Sequence, residues 1–91
     1  MKRILEKLER RKELKDELEM RRNDIRGSKR VIDSINHELD LIRDRKFNTM
    51  SPEEYEAYIG TLLQKKIKEE QLIVVAALRI VSIEDTLKEL F

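Results

Sequence analysis

The segment Leu72-Ile73-Val74-Val75-Ala76-Ala77-Leu78-Arg79-Ile80-Val81-Ser82-Ile83 constrains this chain more than any other. Ten of its twelve residues are apolar, in a protein whose composition is 43% charged. The rest of the chain must keep it out of water. At twelve residues, with Arg79 inside it, the segment is too short and too polar to span a bilayer, which takes about 20 apolar residues. Its β-branched content also permits a strand, yet no second apolar run is available to pair with one. A helix is the expected form.

The remainder supplies the means. The 91 residues include two glycines and one proline, so turns are few and long elements are implied. The abundance of Glu, Lys, Arg and Leu is that of long helices or a coiled coil. A single helical domain over residues 1–91 is expected. Twenty basic and nineteen acidic residues nearly cancel, which leaves no overall field to draw in nucleic acid or anionic lipid. With no cysteine, disulfides, zinc–thiolate sites and thiol chemistry are excluded. Met1-Lys2-Arg3 leads into mixed charges rather than the apolar core of a secretory signal, so the expected location is cytoplasmic, with no membrane association.

From residue 1 to about 46 a seven-residue repeat fits the chain. One core position is filled by Ile4, Arg11, Leu18, Ile25, Ile32 and Leu39, the other by Lys7, Leu14, Arg21, Ser28, Ile35 and Ile42. This pattern predicts one helix over about 2–46 with a narrow apolar seam, poor up to Ser28 and clean from Ile32 to Ile42. Arg26-Gly27-Ser28 is its weak point. A glycine costs about 1 kcal/mol in a helix interior, and Ser28 is a competent cap. A break near Gly27 would give three helices, although the seam keeps its phase from Ile25 to Ile32.

Phe47-Asn48-Thr49-Met50 loses the repeat, and Ser51-Pro52-Glu53-Glu54 follows. Ser51 offers an N-cap oxygen, Pro52 suits the first helical turn, and Glu54 completes a capping box. Residues 47–51 are therefore read as a loop and about 52–90 as a second helix. Its seam is Ile59, Leu62, Ile73, Ala76, Ile80, Ile83, Leu87 and Leu90, interrupted by Lys66 and Glu69. Ser82-Ile83-Glu84-Asp85 offers a further cap, where a bend would start a short final helix. Beside the seam runs a further apolar stripe, Leu63, Ile67, Val74, Leu78 and Val81, with Val75 next to it.

A turn near Asn48 and Thr49 sets an antiparallel register in which opposite residue numbers total about 97. The expected fold is thus all-α, a coiled-coil-like antiparallel helical hairpin. One narrow stripe on the first helix cannot cover two on the second, so a second copy is expected to cover the rest. Leu63, Ile67, Val74, Val75, Leu78 and Val81 are the expected oligomer interface, most simply in a homodimeric four-helix bundle.

The sequence carries no motif for catalysis. No Ser–His–Asp set, phosphate loop or His-Glu-x-x-His pattern occurs, so no catalytic residue, cofactor or metal ligand is assigned. His37 lies three and four residues from Asp40 and Asp33, but at the outermost position of the repeat. Lys66 and Glu69 at core positions are read as register-setting charges whose heads reach water. The expected function is a non-catalytic protein-interaction module, namely a small adaptor, scaffold or inhibitor binding itself and an unidentified protein. The alternative is a nucleic-acid-binding regulator using the basic clusters Arg26, Lys29, Arg30 and Arg43, Arg45, Lys46. A third cluster, Lys65, Lys66 and Lys68, belongs to the same alternative. Acidic residues are interleaved with all three, which disfavours that alternative.

Overall fold

A computed structural model of the chain describes residues 2–45 and 50–90. Two helices account for nearly all of them: α1, Lys2–Arg45, and α2, Pro52–Leu90. They lie side by side as an antiparallel hairpin, a rod of 70 × 15 × 15 Å. The loop expected at 47–51 falls outside the described residues as far as Thr49.

Entry into α2 follows the sequence. Ser51 Oγ accepts a hydrogen bond from the Glu54 backbone N–H at 3.2 Å, and Ser51 O accepts one from the Tyr55 N–H at 2.9 Å. The cap satisfies a donor that the first turn would otherwise leave without a partner. Glu53 and Glu54 add negative charge at the positive end of the helix dipole.

The break near Gly27 that would have given three helices does not form; α1 runs unbroken through Arg26-Gly27-Ser28. Ile25, Ser28 and Ile32 all lie on the face turned to α2, and Ser28 is buried there instead of capping a new helix. A break would remove one half of that face from α2, a larger loss than the helix propensity of one glycine. Residues 72–83 are helical, not a strand, and α2 continues through Ser82, whose carbonyl accepts a hydrogen bond from Thr86 Oγ1 at 2.9 Å.

The register agrees with the expected one. Arg79 donates from Nε and Nη2 to the two carboxylate oxygens of Glu17, at 2.6 and 2.7 Å. Tyr58 donates its hydroxyl to Glu38. Both pairs total 96 in residue number, and 17 and 38 occupy the same position of the seven-residue repeat, so the two links lie along one edge of the hairpin. On the opposite edge lie Lys15, Lys29 and Arg43 of α1 and Glu56, Glu70 and Glu84 of α2.

The core between the helices is thin. Leu14, Ile35, Leu62, Ala76 and Ile83 are its buried apolar side chains, with Leu14 and Ile83 almost wholly enclosed. Leu18, Ile25, Ile32, Leu39, Ile59, Ile73, Ile80 and Leu87 are half-buried around them, as are Arg21, Lys66 and Glu69. The seam expected at the start of α1 is not realised: Ile4, Lys7 and Arg11 are exposed, as is every residue from Lys2 to Glu13. Leu90, the last described residue of α2, lies about level with Lys7, so no described residue of α2 is opposite Ile4. Lys7 and Arg11 do lie level with α2, and their charged heads stay in water.

Candidate interaction surface

The chemistry-bearing features of this hairpin lie on α2. Each helical residue turns about 100° from the last, so α2 has two apolar faces. One, through Ile73 and Ala76, is occupied by α1. The other is formed by Ile67, Gln71, Val74, Leu78 and Val81, whose spacings of four, three, four and three make a second seven-residue repeat. Its centre is turned about 150° from the first, on the side of α2 away from α1. Leu63 and Val75 flank it.

The structure leaves the six expected interface residues, Leu63, Ile67, Val74, Val75, Leu78 and Val81, between 42% and 67% exposed. Ile67, Glu70, Gln71, Val74 and Val75 line an open groove at the middle of this face. From Leu63 to Val81 the stripe spans about 27 Å along the helix. Gln71, a member of the stripe that sequence reasoning passed over, is legible only once the second repeat is written out. Leu72, 49% exposed, adds apolar surface on the Arg79 edge. A smaller exposed group, Ile4, Leu5 and Leu8, occupies the start of α1.

The basic clusters are arranged differently. Arg26, Lys29, Arg30 and Arg43 are exposed on α1; the Arg45 side chain and Lys46 lie outside the described residues. Arg26 is engaged by Glu19 at 3.3 Å. The register puts Lys29 level with Lys68, but the clusters do not merge. Lys65 belongs to the edge that carries Tyr58 and Arg79, whereas Lys29 shares the opposite edge with Arg22 and Arg43. Cations divided between two edges and interspersed with carboxylates make no continuous basic groove.

Electrostatics concentrate at one point. The Glu17 carboxyl is held down to about 2 from 4.5, chiefly by its hydrogen bonds from Arg79, with partial desolvation opposing and the charges of Arg79 and Arg21 assisting. Arg79 is raised in turn by the same carboxylate. Arg21 reaches Glu17 at 3.5 Å and Asp24 at 3.7 Å, so one carboxylate joins two cations. Sequence reasoning missed this clamp, although positions 17 and 79 total 96 and each directly precedes a seam residue, Leu18 and Ile80.

Among the described residues no group of three His, Cys, Asp or Glu is placed to hold a metal ion, and His37 is exposed. No helix of the described residues is long and apolar enough to cross a membrane. No protein-family model matches the chain, and neither does any curated protein or solved structure.

Proposed function

We propose that this chain is a non-catalytic protein-interaction module, a small adaptor, scaffold or inhibitor that works in the cytoplasm. It self-associates through the second face of α2 and presents the charged surface of α1 to a further protein. The observation that carries this reading is the exposure of Leu63, Ile67, Val74, Val75, Leu78 and Val81 on a face that α1 does not reach.

Two magnitudes support it. Fully burying a large aliphatic side chain is worth about 1.5–3 kcal/mol. Covering the exposed half of six such residues on each of two copies therefore gains about 10–20 kcal/mol, enough to offset an association cost of about 4–15 kcal/mol. The hairpin's own core, five buried apolar side chains of which one is Ala76, is small for a domain that must stand alone. A second layer of helices would supply what that core lacks.

Leu78→Asp tests the reading. At 67% exposure Leu78 has little contact with its own hairpin, so the substitution spares the α1–α2 seam. In an interface it buries an unpaired carboxylate at a cost of several kcal/mol. Light scattering should give, for Leu78→Asp, either a mass near 10.9 kDa or an unfolded, aggregating chain that has lost its helical circular dichroism. Asn23→Asp, an exposed change on α1, should keep the mass of the unsubstituted protein. An unchanged mass for Leu78→Asp would contradict the reading.

A further inference from the structure

The geometry points to an antiparallel pairing of α2 with α2 of a second copy, about a two-fold axis beside Val74. The inference rests on the self-association proposed above and specifies its register and direction.

The stripe is complementary to its own reverse. Turned end to end about Val74, Ile67 of one copy comes level with Val81 of the other, and Gln71 with Ala77 and Leu78. Val74 then meets Val74 at the axis. From Ile67 to Val81 apolar side chains face apolar side chains, and the single amide lies beside the small Ala77, where it keeps access to water; Leu63 lies level with Asp85 at the rim.

Charge decides the direction. The end of the stripe near Leu63 carries Lys65, Lys66 and Lys68 with Glu69 and Glu70; the end beyond Val81 carries Glu84, Asp85 and Glu89 with Lys88. Asp85 continues the second repeat, four residues after Val81, so a parallel pairing stacks Asp85 on Asp85 and sets Glu84 beside Glu89. Like charges at such positions oppose association. The antiparallel pairing separates them. Glu84 and Asp85 of each copy lie level with Gln64 and Leu63 of the other, so no carboxylate is stacked on a carboxylate.

The rod accepts this axis. Val74 lies about 33 Å along α2 from Pro52, close to half of the 70 Å rod. Two hairpins related about Val74 therefore overlap almost end to end, with the two α2 helices inside and the two α1 helices outside. Each α1 keeps its charged outer face free, and the two Ile4–Leu8 groups point to opposite ends of the assembly.

The chain has no cysteine, so single cysteines report the register directly. Ile67→Cys and Val81→Cys are made separately, mixed in equal amounts, and treated with a bis-maleimide of about one helical turn in reach. In the antiparallel pairing positions 67 and 81 are adjacent across the axis. Two copies of position 67 are separated by fourteen residues, about 21 Å of helix. The expected product is the mixed 67–81 dimer, with few 67–67 or 81–81 dimers, and with Val74→Cys linking to itself. If 67–67 and 81–81 dimers form and the mixed product does not, the pairing is parallel: this inference falls while self-association stands. If none of the three cysteines links and the unsubstituted protein has the mass of one chain, both fall.

Discussion

Glu17 is the residue at which the hairpin's register is held most tightly. Its carboxylate takes a two-pronged donation from Arg79 across the helices, and Arg21 approaches from the following turn of α1. Planar guanidinium matched to planar carboxylate fixes direction as well as distance, so a slip of either helix would break both bonds at once. The carboxyl is lowered from 4.5 to about 2. A carboxyl lowered by folding adds stability above its ordinary value and loses it as pH falls through the folded-state value. The clamp should accordingly contribute in full above about pH 5, weaken between pH 4.5 and 2, and vanish below. Urea unfolding of the protein and of Glu17→Gln checks this. The midpoint of Glu17→Gln should be lower at pH 7, and the two should converge as pH falls to 2; a gap that stays constant would contradict the account. The clamp was not legible in the sequence, because Glu17 is one of many glutamates in α1 and only the register singles it out. Ser51, by contrast, was fully legible, since a cap depends on residues adjacent in the chain.

Helix boundaries and seams are the level at which the sequence was most informative. Every core position of the repeat from Leu14 to Ile42, and from Ile59 to Leu90, is buried or half-buried, with Glu17, Asn36, Glu38, Gly60, Arg79 and Thr86 half-buried beside them. Repeat spacing is a local property of a helix, and the chain contains too few turn formers to interrupt it. One feature escaped. The exposure of Ile4 depends on how far α2 extends along α1, which the repeat in α1 does not record. The continuity of α1 at Gly27 was the expected form, since the seam keeps its phase there. The break that glycine and Ser28 also allowed loses because a local propensity is smaller than the sum of contacts on both sides. Gly27 has open space where a Cβ would stand, as does Gly60. A methyl there meets nothing and removes the conformational freedom of glycine from the unfolded chain. Gly27→Ala should raise stability by about 0.4–1 kcal/mol, a rise of a few degrees in thermal midpoint for a protein of this size. A fall in the midpoint would mean that the chain uses a bend at Gly27.

For the whole molecule, the imbalance between the helices sets the account. α1 brings one apolar seam and α2 brings two, so a lone hairpin leaves a face of about 27 Å uncovered. That imbalance was visible in the sequence as a second stripe. Its direction of pairing was not, because that depends on where the stripe falls along a folded rod and which charges end it. A 15 Å-wide rod with five buried apolar side chains and twice as many exposed ones along α2 and the start of α1 is a poor candidate for a stable isolated domain. Sedimentation equilibrium of the unsubstituted protein at micromolar concentration tests this most directly. The account predicts twice the chain mass of 10.9 kDa. A single-chain mass across the concentration range, with no uptake of a dye that binds exposed apolar surface, would contradict it.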